Sequence, residues 1–275
     1  MRNILILASL VMLAACTGRR DRQTVDGEPV QVRVAAYNVE YSKNATATEI
    51  GKALSPFNFD IVCFSEAPGG GWTEQAAAAM GMEYSQTGRY STAGHEDKYK
   101  TIASRTPLFD PEEVLMADTL HTATKAKTII NGVEIAVYAV HFPFGWRDQA
   151  HIDETTHKIV TFIDYLRAKQ TEETAVVAGD FNFIPSSAEK KNMYHERFME
   201  AGMDVAWKAL GIDCTKLNTW NALDSTHTGN GEVIDHIMYL TDRMKAIDGG
   251  IIEMENPLSD HKPVWAALQL INTNK

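Results

Sequence analysis

Residues 174–182 read Thr-Ala-Val-Val-Ala-Gly-Asp-Phe-Asn, a short apolar run that stops on a glycine and two polar side chains. The run Ala175-Val-Val-Ala178 has the composition of a strand covered on both faces. Asp180 and Asn182 stand two positions apart, so both side chains point the same way if the strand continues that far. Gly179 has no Cβ and would let the backbone pass close to a ligand. A buried strand ending in a carboxylate and an amide gives a sheet a rim that can carry chemistry.

The pattern recurs on either side. Residues 30–36 alternate as a strand and run into Tyr37-Asn38-Val39, and residues 60–64 form a short apolar run with Ser65-Glu66 behind it. Strands are also expected over 100–104 and 133–142, the latter carrying His141 after Val137-Tyr-Ala-Val140. Residues 232–240 contain Asp235-His236, and Ser259-Asp260-His261 precedes a last strand over 263–270. Helical spacing falls between them, at 45–54, at 73–80 with Thr73 as a cap, at 147–168 and at 186–202. The longest of these places Ile152, Ile159, Phe162, Ile163 and Leu166 on one broad face. No linker rich in Pro, Gly or Ser divides the series, which reads as one α/β domain over 29–275.

Composition narrows the classes. With 44% hydrophobic and 23% charged residues among 275, the chain can bury a sizeable core, which argues against disordered, collagen-like or repeat proteins. The formal net charge of −10 opposes non-specific binding to nucleic acid or an anionic membrane, since both want a basic face. A local basic strip would reverse that, but the nearest groupings (Lys98/Lys100/Arg105, Lys125/Lys127, Lys190/Lys191) are interspersed with acidic or apolar residues. Of nine histidines, His95, His121, His151, His157, His195 and His227 are expected on the surface or in loops.

The N-terminus reads as a targeting segment. Arg2 precedes an apolar run of twelve residues over 4–15, which as a helix rises about 18 Å and is short for a membrane span of about 30 Å. It ends Leu13-Ala14-Ala15-Cys16, similar to the bacterial lipoprotein signal; a plain secretory signal with an incidental cysteine is the alternative. On the lipoprotein reading, 1–15 are removed, Cys16 carries the lipids, and the polar stretch 16–28 tethers the domain to the cell envelope. Cys63 and Cys214 then remain; they could pair in an oxidising compartment, although Cys63 sits in an apolar run that suits a buried free thiol.

A single Asp or Asn after a strand is ordinarily a turn or cap. Together and in this order, the motifs make the chain resemble the endonuclease/exonuclease/phosphatase superfamily of metal-dependent phosphoesterases, over about residues 31–271. Gly179-Asp-Phe-Asn182 and Ser259-Asp-His261 carry the resemblance, supported by Tyr37-Asn38, Ser65-Glu66, Val140-His141 and Ile234-Asp235. It implies a four-layer α/β sandwich, two packed mixed β-sheets flanked by helices, with the site at one edge. It implies Glu66 as the principal ligand of Mg²⁺ (or Mn²⁺), with Asn38 beside it and Asp260 completing the metal site. Asp180 would orient or deprotonate the attacking water, Asn182 would hold a phosphoryl oxygen, and His261 would contact the phosphate or act as acid/base with its tautomer fixed by Asp235. His141 would stabilise the phosphorane or assist the leaving oxygen.

The chemistry asks for such a set independently: an activated water, a cation to offset phosphoryl charge, and support for the leaving group. The chain departs from the family pattern at Ser65, where Gln is usual before the glutamate, and at Ala139-Val-His-Phe142, where a polar neighbour of His141 is missing. Trp72, Trp146 and Arg147 follow motif residues and are candidates to line the substrate entrance, with packing the alternative for both tryptophans. Three functions compete: a lipid-anchored phosphohydrolase of a small, lipid-linked or glycan-linked phosphoester, an extracellular nuclease, and a non-catalytic surface-binding lipoprotein. The first is favoured by the acidic charge and the filled catalytic positions, with a phosphoester substrate and the membrane as the partners of a monomer. Cys16→Ser is expected to move the protein from the membrane fraction to the soluble one; an unchanged distribution would refute lipidation.

Overall fold

The computed structural model describes residues 29–144, 148–183, 193–224, 226 and 232–271. The targeting segment, Cys16, the tether, Trp146, Arg147, Lys190, Lys191 and His227 lie outside them. The described residues form twelve strands: β1 (Gln31–Asn38), β2 (Ile61–Ala67), β3 (Tyr84–Ser91), β4 (Tyr99–Ser104), β5 (Leu108–Leu115), β6 (Thr122–Ile130), β7 (Val133–His141), β8 (Ala175–Asp180), β9 (Met203–Val205), β10 (Asp235–Leu240), β11 (Met244–Ile251) and β12 (Val264–Leu270). Among the described residues five α-helices accompany them: α1 (Ala47–Leu54), α2 (Trp72–Ala79), α3 (Gln149–Lys169), α4 (Met193–Glu200) and α5 (Ala206–Leu210).

Alternation within β1 and β2 creates the layers. Val32, Val34, Ala36, Ile61 and Cys63 point into a core shared with the second sheet. Ala35, Tyr37, Val62 and Phe64 point the other way, into a second core under α1 and α2 with Ile50, Leu54, Ala76 and Ala77. One sheet has the order β11-β12-β1-β2-β4-β3 and the other β5-β6-β7-β8-β10-β9. The second is covered by α3, whose Ile159, Phe162, Ile163 and Leu166 are buried as the helical spacing predicts. The result is two packed mixed sheets flanked by helices, as the resemblance implies.

Each sheet has one parallel pair, β1 with β2 and β7 with β8, at its middle; all its other pairings are antiparallel. The carboxyl ends of these four strands carry Asn38, Glu66, His141 and Asp180. Antiparallel β10 starts at the same rim, with Asp235 opposite Asp180. Antiparallel β12 starts there too, since Val264 pairs with Ala36, which brings Ser259-Asp260-His261 alongside. Topology alone thus gathers residues spread over more than 200 positions.

The strands missing from the sequence reading lie at or next to sheet edges: β3, β5, β9, β11 and, inside β5, β6. Edge strands need no apolar run. β3 is Tyr-Ser-Gln-Thr-Gly-Arg-Tyr-Ser, and β5 carries Pro111 and three acids. β6 holds Lys125, whose ammonium is buried on Glu173, Glu112 and Tyr165. Helix α2 starts one residue before the expected cap, so Gly71 is its N-cap and the Thr73 hydroxyl is buried without a partner. Of the expected 186–202 helix, Met193–Glu200 is helical and 201–202 form a turn, while 186–192 lie outside the described residues. Cys63 and Cys214 are both buried free thiols.

Helix α1 starts at a capping box between Thr46 and Glu49 and packs on α2 through Gly51. A Cβ at Gly51 would meet the Ala76 carbonyl oxygen and approach Ala79 Cβ to 2.7 Å. Gly→Ala in an exposed helix gains about 1 kcal/mol, whereas overpacking costs about 1–3 kcal/mol. Gly51→Ala is therefore expected to destabilise the fold by urea denaturation, despite its better helix propensity. A gain in stability would show that the two helices can move apart freely.

Candidate active site

Three local departures from regular strand geometry aim the rim side chains. By alternation Glu66 would follow Val62 and Phe64 to the helix side. Instead the β2–β4 register shifts between Phe64 and Ala67, and Glu66 adopts φ 51°. This bulge turns its carboxylate to the rim. Gly179 has φ 149°, and a Cβ there would run into the Val140 carbonyl, with the carbonyl carbon at 2.9 Å. The glycine therefore serves the approach of β7, not of a ligand. Strand β8 ends at Asp180, so Asp180 and Asn182 do not share one strand face. Asn182, at φ 52°, donates its N–H to Asp180 Oδ1 (2.8 Å) and its amide Nδ2 to Phe142 O (2.9 Å).

The predicted residues converge. Asp180 Oδ2 is the meeting point: Asn38 Nδ2 donates to it at 3.0 Å, His141 Nε2 lies 3.5 Å away and His261 Nε2 3.8 Å. Asn38 Nδ2 also reaches Glu66 Oε1 at 3.5 Å, and His141 Nε2 stands 3.8 Å from that oxygen. The Asn38 side-chain oxygen, Oδ1, accepts from Glu40 N–H (3.0 Å), so the amide turns its nitrogen to both carboxylates. Behind the cluster, His261 Nδ1 is hydrogen bonded to Asp235 Oδ2 at 2.8 Å. Asp260 sits half-buried beside His261, within hydrogen-bond reach of the Ser259 hydroxyl (3.3 Å).

Burial and charge set the two histidines apart. Burial opposes a charge on His261, but Asp235, then Asp180 and Asp260, overcome it and raise its pKa to about 10. His141 is held well below the ordinary imidazole value by burial, then by the charges of Lys100 and His261. Burial, followed by the charge of Asp235, pushes the Asp180 carboxyl up against the pull of His261 and its two hydrogen bonds. Burial likewise raises Asp260, with Glu40 and Glu66 adding to it against His261. The site thus pairs one imidazole that favours its charged form with one that favours its neutral form.

Sequence reading overlooked two parts of this site, the partner of Lys98 and Thr219, and noted a third, Ser65, as a departure from the family pattern without its bonds. Lys98 stands 2.7 Å from Glu66 Oε2 and 4.9 Å from the Tyr41 ring; its charge had been placed in a basic grouping only. The Ser65 hydroxyl donates to Val140 O (2.9 Å) and accepts from Asp180 N–H (3.2 Å). The Thr219 hydroxyl accepts from the backbone N–H groups of Ile234 (3.0 Å) and Asp235 (3.2 Å), which only tertiary structure could show. Trp72 does not line an entrance: it is buried edge-on to Phe64 and donates Nε1 to Ser42 Oγ. Of the histidines expected on the surface or in loops, His121 does lie in a loop but is buried, and His195 is buried in α4; each ring bonds a neighbouring carboxylate, Asp118 and Asp204 respectively.

The donor set suits a hard divalent cation. Atoms of Asp180, Asp235 and His261 lie within 4.8 Å of one another and could hold a metal ion. Asp235 and His261 are spent on each other, yet Asp235 Oδ1 is buried without a hydrogen-bond partner. At Glu66 a cation already stands against the carboxylate, the Lys98 ammonium. Oxygen donors around buried negative charge are what Mg²⁺ and Mn²⁺ accept.

A sequence model of the Endonuclease/Exonuclease/phosphatase family matches residues 35–261. Among solved structures, an endonuclease/exonuclease/phosphatase from Beutenbergia cavernae is similar at TM-score 0.68 and 17% identity, covering 88% of this chain and 72% of that one. A 3′ phosphatase, NExo, from Neisseria, bound to a product DNA hairpin, gives 0.66 and 18% over 86% and 98% of the two chains. TDP2 of D. rerio, complexed with a single-stranded DNA product, gives 0.65 and 14% over 87% and 99%. At such identities the likeness speaks for the fold. No curated protein matches the chain.

The pairing of His261 with Asp235 is directly measurable. A histidine whose pKa is raised on folding adds stability that is complete below the unfolded value near 6.5 and disappears as pH rises through about 10. In chelator, the His261 ring is therefore expected to keep its proton at pH 8 by ¹⁵N NMR, and Asp235→Asn to return its titration toward 6.5. A ring titrating near 6.5 in the unsubstituted chain would contradict the assignment.

Proposed function

The chain belongs to the endonuclease/exonuclease/phosphatase family, and from this we propose that it is a divalent-cation-dependent hydrolase of phosphoester bonds, a phosphodiesterase or phosphatase acting by attack of water on phosphorus. The observation that carries the reading is the convergence on Asp180 Oδ2 of Asn38, His141 and His261, with Glu66 next to them. No purely structural role calls for a buried carboxylate with two imidazoles 3.5 and 3.8 Å from one oxygen at the ends of the central strands.

Each residue takes a role from its geometry. Asp180 orients the attacking water and accepts its proton, its affinity for a proton raised by burial and by Asp235. His261, charged and held at Nδ1 by Asp235, presents Nε2 to the reacting phosphate and offsets its charge. Neutral His141, 3.5 Å from the same Asp180 oxygen, assists the leaving oxygen. Asn182 holds a phosphoryl oxygen. Glu66 is the principal cation ligand, with Asp260 and Asn38 beside it. A bound Mg²⁺ or Mn²⁺ would supply charge compensation at the phosphoryl and leaving oxygens.

A small, lipid-linked or glycan-linked phosphoester is the preferred substrate class. Among the described residues the basic groupings are engaged within the fold. Lys98 is on Glu66, buried Lys100 donates to Tyr90 O, and Arg105 holds Phe59 O, Met80 O and Gly81 O. Lys125 is buried on Glu173, and Lys127 pairs with Glu134. Little of this charge is left to follow a nucleic-acid backbone. Nuclease action is the second reading, favoured by the DNA products bound to the similar NExo and TDP2 structures. Anchoring through Cys16 at the cell envelope belongs to the same proposal, and no helix among the described residues is long and apolar enough to cross a membrane.

The test is a metal-dependence assay of the chain from residue 17 onward, against DNA, RNA, inositol phosphates, phospholipid head groups and sugar phosphates. Asp180→Asn is expected to lower turnover by about 10²- to 10⁴-fold with circular dichroism unchanged. Glu66→Gln is expected to shift the metal titration to higher concentration. A folded, fully active Asp180→Asn chain would overturn the mechanism, and cleavage confined to DNA or RNA would promote the nuclease.

A further inference from the structure

We propose that Ser65 is a positioning residue that fixes the Asp180 carboxylate relative to Glu66 by tying the two sheets together at the reactive rim. Ser65 is fully buried in β2, and its side chain points into the space between the sheets. Its hydroxyl donates to Val140 O of β7 at 2.9 Å and accepts from Asp180 N–H of β8 at 3.2 Å. Its own carbonyl oxygen accepts from Val39 N–H, just past β1, at 3.0 Å. One residue is thereby bonded to the other three strands of the two central parallel pairs.

The geometry at β8 explains why a hydroxyl belongs there. In the parallel ladder Phe142 N donates to Asp180 O at 2.9 Å, which makes Val140 O and Asp180 N–H the next pair along. Ser65 Oγ bonds both members of that pair, one as donor and one as acceptor, which a hydroxyl can do and a methyl cannot. Gly179, where a Cβ would strike the Val140 carbonyl, gives the backbone the room this needs. The next residue in β2 is Glu66, so the peptide unit that carries one carboxylate is held directly against the residue that carries the other. Asn38 Nδ2, bridging Asp180 and Glu66 on the side-chain side, completes a two-point lock.

Without the hydroxyl, Val140 at the end of β7 and Asp180 at the end of β8 lose this bond to β2, and the two strand ends are free to shift relative to Glu66. A displacement of about 1 Å between catalytic groups can cost about a hundredfold in rate. The consequence falls on kcat, since the group that moves acts on the water and not on substrate affinity.

This inference rests on the hydrolase reading, so its test has one arm that needs activity and one that does not. Unsubstituted, Ser65→Ala and Ser65→Thr chains are compared with bis(4-nitrophenyl) phosphate and Mn²⁺, and the Ala variant is crystallised. Ser65→Ala is expected to lower kcat by about 10- to 100-fold with KM within about twofold, and Ser65→Thr, which keeps the hydroxyl, to recover most of it. In the crystal the Asn38 Nδ2–Asp180 Oδ2 distance, 3.0 Å here, is expected to lengthen beyond hydrogen-bond range. A Ser65→Ala chain with kcat within about twofold of the unsubstituted one, and that distance unchanged, would overturn the proposal. If the unsubstituted chain hydrolyses no phosphoester, the hydrolase reading fails on its own, and the crystallographic distance alone decides for or against the clamp.

Discussion

The molecule is organised around negative charge held out of water at one sheet rim. Asp180 and Asp235 are essentially buried, face each other across β8 and β10, and have Glu66 and Asp260 as neighbours. Unpaired, such a group would cost several kcal/mol per ion, and removing one partner from a buried pair costs about 3–5 kcal/mol. The compensation is all local: the His261 imidazolium on Asp235, the Asn38 amide on Asp180 and Glu66, and the Lys98 ammonium on Glu66. Each compensating group comes from a different segment, so the cluster forms only when both sheets have docked. Stability and site geometry are therefore one problem for this chain.

Topology solves it economically. A parallel pair at the middle of each sheet sends two carboxyl strand ends to the same rim, and the packing of the sheets lays the two pairs across each other. The antiparallel neighbours β10 and β12 begin where those strands end, so the loops before them deliver Asp235 and His261 with no extra element. Hydroxyls finish the backbone: Ser65 at Asp180, Thr219 at Asp235, and Ser259, which donates to Asn38 O (2.8 Å) and accepts from His261 N–H (3.3 Å). A side chain placed on such a rigid frame needs little reorganisation when charge develops.

How much of this could be read from sequence depended on burial. The central strands β1, β2, β7, β8, β10 and β12 announce themselves, since burial on both faces demands apolar runs, and the polar residue ending or opening each is conspicuous for that reason. The edge strands β3, β5, β9 and β11 have no such demand and read as polar loops. All eight residues singled out from sequence lie at the rim. What could not be read was the set of groups that hold them: nothing near Lys98 in sequence refers to Glu66, 32 positions away, and Thr219 is a threonine like any other until β10 lies beside it. The Asp180/Asn182 spacing misled for a related reason, because the strand stops at Asp180 and the backbone turns left-handed at Asn182.

The departures from local rules argue for function independently of the residue types. Glu66 breaks the alternation of its strand and takes a left-handed backbone, Asn182 does the same in the following loop, and Gly179 occupies a conformation closed to other residues. Ser65 puts a hydroxyl into the largely apolar core between the two sheets, and Asp235 Oδ1 is buried with no hydrogen-bond partner. Strained backbone costs of order 1–3 kcal/mol per residue, and a buried polar group without a partner costs about as much. A chain selected for stability alone would shed such features one by one, since each lies within reach of a single substitution. Their concentration within one rim, and their shared effect of pointing carboxylate, amide and imidazole at the same small volume, is what a site preorganised for chemistry requires.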